Sequence, residues 1–251
     1  MTFCVASIPM WLQGFIDEFK FVFIENDRYK QLLTGFFNTI KITIGALILG
    51  IVIGIVVAAV RSTFDKNRES MRSRGGIGYY LLYALNAICK VYLTVIRGTP
   101  VVVQLMLSYF VIFVSLRNGV PIAIFAFGIN SGAYVAEIFR GGIMSVDKGQ
   151  FEAGRSLGFN YIQTMTHIVI PQMFKNVLPT LCNEFIALLK ETSVAGYVGV
   201  VDLTKAGNAI AGRTYSYFMP LIAVAIVYLA IVLVLSYLVG ILERRLRKSD
   251  H

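Results

Sequence analysis

The sequence predicts an all-α protein that crosses a membrane several times. The chain is 57% hydrophobic, with a mean hydropathy of +0.71. Residues 42–60, 98–116, 118–136 and 214–242 carry no charged side chain, and one helical crossing needs roughly 20 apolar residues. The ten-residue alternating segments of a membrane β-barrel do not occur. Helices remain, because each backbone N–H and C=O at membrane depth must be satisfied within the protein.

The elements follow in order. Residues 1–30 lack the basic start of a signal peptide and carry acidic and aromatic residues (IDEFKFVFIENDRY). They are expected to be an amphipathic or loosely structured segment at the outer surface. A first span is expected at 32–60, ending at Arg61. A second, at 79–115, is too long for one straight crossing, since about 37 residues would reach about 55 Å. Gly98-Thr99-Pro100 is expected to break it. Further spans are expected at 121–143, 168–194 and 217–242, giving five transmembrane helices. Residues 31–245 then form the transmembrane domain and 246–251 a short tail.

Lysine and arginine placement sets the orientation. With the N-terminus outside, the inner segments hold twelve basic residues, including Arg61, Lys66, Arg140, Arg155 and Arg244, against six outside. The positive-inside bias therefore puts the N-terminus out and the C-terminus in the cytoplasm. Most of the net charge of +9 is expected to face anionic lipid headgroups, not nucleic acid. The run Glu243-Arg-Arg-Leu-Arg-Lys reads as a lipid anchor.

Cys4, Cys89 and Cys182 are widely spaced, and the histidines are His167 and His251. The cysteines read as apolar fillers, and no metal site is expected. There is no Gly-x-x-x-x-Gly-Lys-Ser/Thr phosphate loop and no nucleophile–base constellation. The chain is expected to be non-catalytic and to bind no cofactor.

One polar stretch stands apart, EAGRSLGFNYIQTMTHIVIPQ at 152–172. Asp147 and Gln150 have the spacing of a helix-starting capping box. Gly158 sits where a left-handed residue ends a helix. Asn160 and Gln163 repeat the capping pattern and start a second helix toward Pro171. The loop 147–170 is expected to be two short helices joined at a glycine corner on the inner side. Such an elbow suits a partner protein; the competing reading is a solvated connector.

Glu152-Ala153, Gly158 and Ile168-x-Ile170-Pro171 together are similar to the EAA loop of ABC importer permeases. Gly154 stands where that family usually has alanine, and Ile170 where leucine is common. Arg97-Gly-Thr-Pro-Val-Val-Val-Gln104, Ser131-Gly-Ala-Tyr134 through Arg140, and Asn183-Glu-Phe-Ile through Ser193 resemble segments of its polar amino acid branch. The resemblance covers roughly 30–245. It implies a type I importer (MetI-like) permease fold in the cytoplasmic membrane, with Glu152, Ala153, Gly154, Arg155 and Gly158 coupling to an ATPase. It also implies a second permease subunit, an extracytoplasmic substrate-binding protein, and ATP with Mg on the ATPase subunits.

Charge at bilayer depth costs about 2.5–3.5 kcal/mol per residue on insertion scales. On the fourth span Glu184 and Glu191 share a face, and Asn183 and Lys190 lie beside them. This stripe either grips a zwitterionic solute or is satisfied internally, for instance by a Glu184–Lys190 pair. Asn130, Ser131 and Tyr134 on the third span admit the same two readings, pathway lining or helix packing. Thr99 and Gln104 border the expected break, where freed backbone groups suit solute binding. Arg97 is expected to reach phosphates or anchor the break, and Glu137 to pair with Arg140. Gly50-x-x-x-Gly54 hints at a close helix contact.

The expected substrate is a polar amino acid, with Glu184 favouring arginine, lysine or histidine. Glutamine, glutamate and cystine remain open, since Glu184 also suits the α-ammonium they share. Competing classes are a carrier or channel that needs no ATPase, and a membrane scaffold.

Overall fold

The computed structural model describes residues 9–74 and 76–248. Among them the secondary structure is helical throughout. Cys4 and His251 lie outside the described residues. A surface helix α1 (Met10–Phe19) leads through tighter and wider turns to α2 (Tyr29–Arg74). Then come α3 (Ile77–Gly98), α4 (Val101–Leu107) and α5 (Gly119–Met144). The polar loop holds α6 (Lys148–Ser156) and α7 (Tyr161–Thr164), followed by α8 (Ile170–Glu191), α9 (Leu203–Thr214) and α10 (Phe218–Lys248).

Four of these helices, α2, α3, α5 and α10, are long and apolar enough to cross a membrane. The expected fourth span, α8, has crossing length but carries Lys175, Glu184, Lys190 and Glu191. The break in the second span falls at Gly98–Pro100: α3 ends at Gly98, and Pro100 caps the start of α4.

The first span differs from expectation, because α2 runs on to Arg74 instead of ending at Arg61. Charged residues end an apolar run but not a helix, since Lys, Arg, Glu and Met are good helix formers. Beyond it Gly76 has a φ of 124°, a backbone conformation that glycine adopts freely.

The centre of the fold is α5, with 67% of its most apolar window buried, against 17% for α10. Its main partner is α2. A β-carbon at Gly50 would meet the Ser131 side chain at 3.1 Å, and one at Gly54 would meet Val135 at 2.5 Å. The Gly50-x-x-x-Gly54 pattern is thus the α2–α5 contact itself, which permits the close backbone approach typical of small residues in membranes. Ile42, Leu105, Phe127 and Leu188 fill one core cluster. A second joins Val135, Phe139 and Ile143 to Val169, Met173 and Val177. Beside the start of α2, Val22 and Phe23 pack on Ile210 and Met219, and Ser216 donates to Glu18 at 2.8 Å. These contacts tie the N-terminal segment to the start of α10.

Candidate functional site

The polar residues of the membrane region fall into two groups. The first surrounds the helix break. Gln104 Nε2 donates to Ile96 O at 2.8 Å, Thr99 O at 3.1 Å and Thr99 Oγ1 at 2.8 Å. The Thr99 hydroxyl donates back to Val95 O, and Asn130 Nδ2 donates to Gln104 Oε1 at 3.0 Å. Pro100 interrupts the backbone ladder, so carbonyls at the end of α3 need other donors. Gln104 supplies them and ties the break to α5. The structure therefore uses Thr99, Gln104 and Asn130 as a lock on the bent helix.

The second group joins α5 to α8. Ser131, 1% exposed, donates to Glu184 Oε1 at 2.8 Å. The partner seen for Glu184 is thus Ser131, not Lys190. Glu191 stands within electrostatic reach of both Glu184 and Lys190. Asn183 and Lys190 lie on the exposed side of α8.

A cavity of about 510 Å³ lies between α2, α3 and α5. Arg61, Lys90, Thr94, Arg97, Tyr134 and Glu137 line it. The Arg97 guanidinium lies 5.8 Å from the Tyr134 ring centroid, a cation–π distance. Arg61 Nε is buried without a hydrogen-bond partner among the described residues. Glu137 already accepts from Arg140 at 3.0 Å, as its spacing suggested, and Asp65 adds to Arg140 at 3.9 Å. Among the described residues the cavity thus gathers three cations, Arg61, Lys90 and Arg97, around a Glu137 already engaged by Arg140. Arg61, Lys90 and Thr94 were not among the residues expected from sequence. The signal available was charge inside the second span, at Lys90.

The elbow is built as follows. The Asp147 carboxylate caps α6 by accepting from Gly149 N, but no box closes there. Gln150 Oε1 instead accepts from Gln172 Nε2 at 3.1 Å. The helix ends in a Schellman motif, with Phe159 N bonded to Gly154 O and Gly158 N to Arg155 O. Gly158 has φ +79°, as its position predicts. The Asn160–Gln163 box is complete, with both bonds at 2.9 Å.

The second arm is not a separate short helix. From α7 it passes through a wide turn at Met165–Val169 directly into α8. Pro171 has no N–H for the carbonyl four residues back, and Ile170 N bonds Met165 O instead. Glu152, Ala153, Arg155 and Gly158 are exposed on the elbow, whereas Gly154 is buried against Thr164.

Residues 75–248 match the family described as the binding-protein-dependent transport system inner membrane component. This chain belongs to that family. As a member it is a multi-pass component of the cytoplasmic membrane and not itself an enzyme; ATP hydrolysis resides in a separate subunit. It is 34% identical to a putative glutamine transport system permease protein, GlnP, of Rickettsia bellii over 233 residues, covering 91% of this chain and 98% of that protein. Its identity to the arginine transport system permease protein ArtQ of Bacillus subtilis is 35%, covering 87% and 94% of the two chains. A solved structure, described as an amino acid ABC transporter with histidines, superposes with a TM-score of 0.74 at 36% identity. It covers 86% of this chain and 94% of that one. The permease fold expected from the sequence is the fold these comparisons give.

Proposed function

We propose that this chain is the transmembrane permease subunit of an ATP-driven importer for polar amino acids, basic ones foremost. Its partners in this reading are two ATPase subunits, a second permease (a copy or a homologue) and an extracytoplasmic binding protein. The observation that carries the substrate reading is that two residues of α5 contact opposite charges, Arg97 on α3 and Glu184 on α8. Tyr134 faces Arg97, and Ser131 holds Glu184. Three residues apart, Ser131 and Tyr134 are neighbours on the helix surface. A zwitterion with a cationic side chain matches this order, its carboxylate at Arg97 and its cation at Glu184. Asn183 and Lys190 border the same stripe, while Thr99, Gln104 and Asn130 hold the wall in shape. The elbow around Glu152–Gly158 would pass closure of the ATPase pair to α8, with which its second arm is continuous.

Uptake of labelled arginine, histidine and glutamine by the reconstituted complex tests this. Arg97→Gln is expected to lower uptake of all three about tenfold or more, the worth of one hydrogen bond to a charged group. Glu184→Gln should lower only arginine and histidine. Equal loss of glutamine in the second variant would mean that Glu184 meets the shared α-ammonium. The substrate class would then revert to glutamine, glutamate or cystine.

The names of the relatives support a second reading at this finer level. Putative glutamine and arginine permeases are about equally similar to this chain. The three cations around the first cavity also suit a carboxylate-bearing or neutral side chain.

A further inference from the structure

A different cavity, of about 580 Å³, lies at the inner end of the molecule, where α2 projects past the elbow. Among the described residues its cationic wall is Lys66, Lys148 and Arg155, its one carboxylate is Glu152, and Tyr161 adds a hydroxyl. The floor is apolar, formed by Ile143, Val146 and Phe151. Lys66 Nζ stands 3.2 Å from the Phe151 ring centroid, so the cation and the apolar floor are one construction. Lys66 and Arg155 are also within electrostatic reach of each other, and like charges at that range favour an anion between them.

We infer that this cavity binds the phosphate headgroup of an anionic phospholipid from the inner leaflet. Charge complementarity selects the phosphate, with three cations against one carboxylate. The apolar floor selects a lipid over free phosphate, because it accepts the glycerol and the first methylenes of an acyl chain. Placement agrees: the cavity opens beside the last turn of α5, on the side where basic residues concentrate and anionic lipids attract them. The headgroup touches both α2, through Lys66, and α6, through Lys148 and Arg155. It therefore braces the elbow against the first span, and the proportion of anionic lipid tunes how tightly ATP hydrolysis and transport are coupled.

Native mass spectrometry of the purified permease–ATPase complex tests the site, using phosphatidylglycerol and phosphatidylcholine of identical chains. Phosphatidylglycerol is expected to be retained selectively and to resist displacement by excess inorganic phosphate. Lys148→Gln, at an exposed position the fold does not need, should weaken retention about fivefold, the worth of one basic residue at an anionic surface. Lys66→Arg should preserve it, and removing two tail charges (Arg244→Gln with Arg245→Gln) should leave it unchanged. Equal retention of the two lipids, displacement by inorganic phosphate, or the same loss in the tail variant as in Lys148→Gln would each overturn the inference. So would retention that Lys148→Gln does not alter.

Discussion

Gly154 sits so close to Thr164 that a β-carbon placed on it would lie 2.7 Å from Thr164 Cγ2 and 2.8 Å from Thr164 Oγ1. The missing side chain is what lets the two arms of the elbow touch. Gly154→Ala should therefore destabilise the elbow by about 1–3 kcal/mol, the usual cost of overpacking, despite alanine's better helix propensity. Thermal unfolding of the complex is expected to show a lower Tm for Gly154→Ala and recovery when Thr164→Ala is added. An unchanged Tm in the single variant would mean the arms separate freely.

Gly158 turns the corner between α6 and α7 at φ +79°. A residue with a β-carbon costs about 1–2 kcal/mol there. Gly158→Val should misdirect α6 and reduce transport per ATP hydrolysed, while Gly158→Asn, which tolerates this conformation, should be milder. The check is a side-by-side measurement of ATPase rate and uptake in proteoliposomes. Equal coupling in both variants would remove the corner from the mechanism.

Gln104 is the hub of the lock at the helix break. Gln104→Leu strands the Asn130 amide and the carbonyls of Ile96 and Thr99, at about 1–3 kcal/mol for a buried polar group left without its partner. The expected outcome is a lower Tm with the order of substrate preference kept. Reversal of substrate preference with no loss of stability would instead make Gln104 a direct ligand.

Asp202 is 0% exposed and caps α9 by accepting from Thr204 N and Lys205 N. Burial pushes its carboxyl above the usual range, while the capping N–H groups pull the other way. With the folded value raised, this group contributes its full stability at low pH and loses it as pH rises through that value. Asp202→Asn keeps a capping acceptor and removes the titration. The variant should thus gain in Tm relative to the parent as pH rises above about 4, the ordinary carboxyl value of the unfolded chain. A Tm difference independent of pH would refute the raised value.

How much of this was legible in sequence depended on whether the cause was local. Pro100 breaks the second span by its own chemistry, and Gly158 ends α6 by its own lack of a side chain. Both could be placed from the residues alone. The extent of α2 could not, because Arg61 marks the end of apolar surface while the helix continues to Arg74. The Asp147–Gln150 box was a local pattern overridden by a distant partner, Gln172. Thr99, Gln104 and Asn130 were visible as polar residues near the break, but only their mutual hydrogen bonds show the lock. The cation-lined cavity was the least legible, since it gathers Arg61, Arg97 and Tyr134 from three helices.

The 46 residues of α2 make a single rod about 69 Å long. Toward its N-terminal end, Asn38 donates to Val201 O and Thr39 accepts from Leu203 N. Toward its C-terminal end Lys66 rests on Phe151. One continuous helix thus carries both sets of contacts, so a change of tilt at either would be felt at the other.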